Sequence, residues 1–227
     1  MIQKNTLKFL GELMWNNKKE WFDRHKSEYE LVKNDFVAVT GRMIEKVSEF
    51  DAEIADAGLD TKKCITRINR DLRFSKDRTP YKTDFYIVLN KGGKNSQAAF
   101  YYLYIQPDNS FAGGGVYNPQ PGPLNLIRTA IDADFDSWKK VISNPQFERT
   151  YPSGIHSPST LSKVPKGFEQ SSPAANFLKM KGFYTMEQLS DKEIVSGEAF
   201  GKVTAYFKAA KPLIDFINQA IYQPAKS

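Results

Sequence analysis

Two hydrophobic periods divide the chain. Over residues 6–15, Leu7, Leu10, Leu13 and Met14 recur at steps of three or fewer, which predicts a short helix capped by Asn5 or Thr6. Asn17 followed by Glu20 has the spacing of a capping box, with Asn in the cap position. A long helix is therefore expected over about 18–50, on the stripe Phe22, Tyr29, Val32, Phe36, Val39, Met43 and Val47. The period then shortens. Residues 65–75, 81–90, 98–106 and 111–117 read as extended runs, joined by turns at 75–80, 91–96 and 108–110. Helical spacing returns at 123–133, from which Arg128 would project toward the sheet, and at 134–144. Residues 145–173 are rich in Pro, Ser and Gly and read as irregular. A helical turn at 174–178, an edge strand at 179–186 and a Ser190–Glu193 capping box follow. C-terminal helices run to Tyr222, with Pro212 expected to kink or split them.

Helices, then strands, then helices point to an α+β fold. The expected form is a mainly antiparallel sheet from the middle of the chain, packed by long N-terminal and C-terminal helices. With 227 residues, 41% of them hydrophobic, and no repeat or linker, the reading is a single domain over 1–227, with 145–173 as an irregular region inside it. No apolar run reaches membrane-helix length, and the start M-I-Q-K-N-T is not a secretory leader; a cytoplasmic protein without membrane association is expected. One cysteine, Cys64, and two histidines do not suit a thiolate–imidazole zinc site, so no metal is expected.

Charge singles out one stretch. Between Lys62 and Lys82 stand eight basic residues, Lys62, Lys63, Arg67, Arg70, Arg73, Lys76, Arg78 and Lys82, against Asp71 and Asp77. That local excess equals the net charge of the whole chain, +6. As an extended run it puts Ile65, Arg67, Asn69, Asp71 and Arg73 on one face and Thr66, Ile68, Arg70, Leu72 and Phe74 on the other. The second face is apolar except for Arg70, which needs a partner. Guanidinium forks match phosphate and carboxylate, so the stretch reads as an anion site formed by Arg67, Arg70, Arg73, Lys76, Arg78 and Lys82. Tyr81 would stack or donate a hydrogen bond. The Gly113-Gly114-Gly115 run either offers amides to the anion, through Gly114, or lets a bulged strand pack closely. Aromatic residues interleaved with the strands could stack bases, or could be core and cross-strand pairs.

The string R-I-N-R-D-L-R-F-S-K-D-R-T-P-Y-K-T resembles the signature of the uncharacterised DUF2461 family. So do Phe9-Leu10 with N-N-K-K-E-W-F-D-R-H-K, the segment F-A-G-G-G-V-Y-N-P, Pro165-Lys166-Gly167-Phe168 and Pro212-Leu213-Ile214-Asp215-Phe216. The resemblance implies one domain marked by the same basic stretch, and it brings no activity, cofactor or catalytic residue.

Three functions compete. The first is a binding module for a phosphate-bearing ligand, a nucleotide or nucleic acid. The second is an enzyme on an anionic substrate, with Asp71, Asp77 or His25 as acid–base groups. The third is a structural ion-pair network with no ligand. No Walker, nucleophile-elbow, zinc or dinucleotide motif is present.

Overall fold

The computed structural model describes residues 1–73, 77–93 and 96–222. Lys76, with the two residues before it, and the centre of the 91–96 connection lie outside the described residues. The fold is α+β. Strands β1 (Phe85–Leu89), β2 (Phe100–Ile105), β3 (Ser110–Val116) and β4 (Phe183–Leu189) form one antiparallel sheet in the order β1-β2-β3-β4. The first three make a meander. The connection to β4 passes through helices α5 (Pro121–Ala133), α6 (Phe135–Ile142), α7 (Pro145–Thr150) and α8 (Ala175–Leu178). The segment expected to be irregular thus opens with a helix, because Asn144 accepts the Gln146 and Phe147 amides and Pro145 starts the turn.

Strand alternation sorts the side chains onto two faces. Phe85, Ile87, Leu89, Tyr101, Leu103, Ile105 and Ala112 turn into the core. There they meet α3 (Lys26–Ser48), on which α1 (Lys4–Trp15) and α4 (Ala52–Asp56) pack, and the C-terminal α10 (Ala199–Tyr222). The opposite face holds Tyr86, Tyr102, Tyr104 and Phe111, whose rings pack on one another across strands at 4.5–6.3 Å. Tyr102 and Tyr104 are buried there, so this array is mostly cross-strand packing rather than an open stacking surface.

The triple glycine is a packing device. A Cβ on Gly114 would lie 2.9 Å from both Ala210 Cβ and Ile214 Cδ1, so its absence lets α10 sit directly on β3. Gly115 takes φ +127°, and a Cβ there would strike the Phe183 carbonyl of β4 at 2.2 Å.

Several local expectations change. The expected 18–50 helix is two, α2 (Lys19–Arg24) and α3, broken at His25 with φ −107° and ψ 19°. The His25 ring stacks on Trp21 at 4.0 Å, and its Nδ1 lies 2.7 Å from the Trp21 carbonyl oxygen. Neither Asn5 nor Thr6 caps α1, which starts at Lys4 behind Gln3; the Thr6 hydroxyl donates to Asp35 instead. Pro212 lies inside a single helix, α10. The Ser190–Glu193 capping box forms as read, at the start of α9 (Asp191–Ile194).

Both outer strands carry irregular neighbours. Beside β1 the Val88 amide donates to the Cys64 carbonyl at 2.9 Å, and the Thr66 amide to the Tyr86 carbonyl at 3.0 Å. Beside β4, His156 and Tyr184 exchange backbone hydrogen bonds at 2.7 and 3.2 Å.

Candidate functional site

The basic stretch is an extended ribbon along the outer edge of β1. It bridges at Ile65–Ile87 and Asn69–Tyr81, and Lys82 and Arg70 donate backbone bonds to Ile68 and Pro80 at 2.7 and 3.0 Å. It stops short of a continuous strand because the Tyr86 amide donates to the Thr66 hydroxyl oxygen rather than to a carbonyl. The alternation nevertheless holds: Ile68 is buried, while Arg67, Asn69, Asp71 and Arg73 are exposed.

The structure divides the cations into two groups. Within the turn they are engaged locally. Arg73 grips Asp71 with two side-chain bonds, Nε at 3.0 Å and Nη2 at 2.7 Å. That grip, reinforced by the Arg73 amide, holds the Asp71 carboxyl below its ordinary range. Arg78 donates to the Leu72 carbonyl at 3.3 Å. Arg70, the inward-facing exception, pairs with Asp77 at 3.2 Å and reaches the Tyr81 carbonyl at 3.4 Å, leaving Nε buried with no partner among the described residues. Asp77 titrates below its usual value chiefly because it accepts the Thr79 amide and hydroxyl, with Arg70 a smaller influence.

The second group faces a cleft between α3 and the ribbon. Lys33, Lys62 and Arg67 line it with Tyr29, Phe36, Val37, Ile65, Thr66 and Phe85, around a volume of about 240 Å³. Neither Lys62 nor Arg67 takes part in an ion pair among the described residues, and Lys33 meets only the half-exposed Glu30 at 3.3 Å. Phe36 and Phe85 pack at 4.3 Å and, both buried, close the floor of the cleft, while the half-buried Tyr29 ring stands at its side. Of the described residues read as ligand-binding, only Arg67 lines this cleft. Lys62 stood in the charge count without a role. Lys33, on α3, lies outside the basic stretch that the charge count singles out; its signal in the sequence is a cation four residues after Tyr29 and three before Phe36, flanking the apolar stripe.

Tyr81 is 9% exposed and stacks on Phe22 at 4.0 Å, so it is a core residue rather than a ligand platform. Asn17 holds its backbone from both sides: its amide donates to the Tyr81 carbonyl at 2.9 Å, and its side-chain oxygen accepts the Tyr81 amide at 3.1 Å. That is the role taken by the residue expected to cap a helix. Gly114 sits under α10, two strands away from β1. Asp84, half-buried between ribbon and sheet, has its carboxyl pushed up by burial, against the pull of Lys82, Arg70 and the Tyr104 hydroxyl.

Against known families, residues 5–216 match the model described as conserved hypothetical protein DUF2461. The chain belongs to the DUF2461 family. No curated protein and no solved structure matches it. The DUF2461 match takes in the ribbon, the cleft and the helices that build them, so the cleft is assembled entirely from family-matched sequence.

Proposed function

We propose that the protein is a binding module for a phosphate-bearing ligand, nucleotide-like or a nucleic-acid end, held in the cleft between α3 and the basic ribbon. The observation that carries this reading is the convergence of Lys33, Lys62 and Arg67 on one cleft that no carboxylate lines among the described residues. Arg67 offers a planar fork for the oxyanion, the lysines add point charges, and the half-buried Tyr29 ring favours a flat group beside it. A volume of about 240 Å³ suits one phosphate and a small ring system rather than a dinucleotide. For a nucleic acid, the exposed Lys63 beside Lys62 would extend the contact along the backbone.

A specific observation favours the structural network for the turn itself: Arg70, Arg73 and Arg78 are bound within residues 70–81. Cleft and turn therefore have different roles in one stretch. Acid–base chemistry has less support, because Asp71 and Asp77 are engaged by their neighbours and His25 is stacked at a helix break.

The test is fluorescence polarisation with labelled mononucleotides and short oligonucleotides at two salt concentrations, on the parent chain, Arg67→Ala and Lys62→Ala. Binding that both substitutions weaken supports the cleft. Binding unchanged in both variants removes it. A steep loss of affinity with salt identifies a nucleic acid; a shallow one identifies a small ligand.

A further inference from the structure

We infer that a second, separate oxyanion site lies at the start of α5, built around the buried guanidinium of Arg128. Arg128 is 7% exposed, yet it takes part in no ion pair among the described residues. Its Nη2 donates to the Met180 carbonyl at 2.7 Å, and its Nε is buried with no hydrogen-bond partner among the described residues. A buried arginine normally has a carboxylate or several carbonyls around it, since an unpaired buried charge is costly. This one lines a cleft of about 400 Å³ instead. Burial pulls its pKa down, and a bound anion would reverse that penalty.

The remaining walls define the ligand. Pro121, Leu124, Asn125 and Arg128 share one face of α5 by their three- and four-residue spacing. Leu161, Pro119 and Asn118 oppose them, and the exposed Lys181 adds a second cation at the rim. Pro121 and Pro123 remove two amides from the first turn of α5, so side chains rather than helix amides hold the anion. A fork of N–H groups, one lysine, flanking amide side chains and apolar walls fit a carboxylate or phosphate on a compact organic body. Asn118 and Pro119 follow β3, at the opposite end of the sheet from the 81–84 approach to β1, so this site stands whether or not the Arg67 cleft binds anything.

The test follows the arginine Nε–H resonances of the full chain by NMR during titration with inorganic phosphate and, separately, with butyrate. One Nε–H signal, lost in Arg128→Gln, is expected to shift and saturate. Tighter binding of butyrate assigns a carboxylate ligand that uses the apolar walls; tighter binding of phosphate assigns a phosphate. Lys181→Ala is expected to weaken either anion about tenfold, the worth of one charge-assisted contact. Should Arg128→Gln fail to fold, Lys181→Glu decides. A carboxylate at that rim position gives Arg128 an internal partner, so the melting temperature in anion-free buffer should rise and anion binding should vanish. Absence of any saturable shift, or binding that persists unchanged in Lys181→Glu, overturns the site.

Discussion

Gly114→Ala separates the two readings of the triple glycine. The new Cβ would lie 2.9 Å from Ala210 Cβ and 2.9 Å from Ile214 Cδ1, about an ångström inside ordinary contact. The Ile214 tip can rotate away, but Ala210 Cβ is fixed to the α10 backbone, so the helix must lift off the sheet. Overpacking of this kind costs about 1–3 kcal/mol. At about 2–4 °C per kcal/mol for a chain this size, the melting temperature should fall about 4–8 °C for a mid-range cost. Thermal melts by circular dichroism measure it. Ile214→Val removes one of the two clashing atoms, so in the Gly114→Ala background it should cost less than it does alone. That coupling, about 1 kcal/mol in a double-mutant cycle, marks direct contact. Affinity for phosphate or nucleotide should not change. An unaltered melting temperature with lost anion binding would refute the packing argument and restore the glycine amides as a cradle.

Arg67→Ala should leave the melting temperature nearly unchanged while weakening anion binding, whereas Arg70→Ala should lower the melting temperature because Asp77 and the Tyr81 carbonyl lose their shared partner; paired melts and polarisation titrations check this. Tyr101→Phe should cost about 1.5–3 kcal/mol in denaturant unfolding, since its hydroxyl donates to the buried Asp51 carboxylate at 2.6 Å. Asp84→Asn should raise stability at pH 7. Its folded pKa stands above the unfolded value, so its favourable contribution is present below that unfolded value and is lost as pH rises through the folded one. The gain should therefore disappear in melts repeated below about pH 4, and a loss of stability at pH 7 would contradict the burial argument. Ser190→Ala should cost about 1 kcal/mol through the lost capping box, read from denaturant midpoints.

Periodicity carried the architecture because burial follows it directly. Every strand was read near its observed place, and the inward set Phe85, Ile87, Leu89 is simple alternation. What sequence could not supply was long-range partnership. Asn17 satisfies the local grammar of a helix cap, yet its amide spans the backbone of Tyr81, sixty-four residues away. Arg70 announced itself as an inward charge, but not that Asp77 would meet it. The cleft joins Lys33 on α3 to Lys62 and Arg67 on the ribbon, and no local pattern relates two segments some thirty residues apart. The sequence places Arg128 on a helix facing the sheet, while its buried Nε without a hydrogen-bond partner among the described residues is visible only once its surroundings are assembled.

The neighbours of β1 and β4 bear on how the protein meets other chains. Bare outer strands act as templates for added strands, in domain swapping and in fibrils. Along β1 that template is occupied by the ribbon, and the occupying segment is dense in arginine and lysine, which repel a second copy of themselves. At the start of β4, His156 occupies it. Growth of the sheet by another molecule would first require the ribbon to peel away, taking Arg67 from its cleft. Disrupting the ribbon should therefore have two consequences at once, a lost ligand and a tendency to aggregate, and light scattering alongside the binding assays would register both.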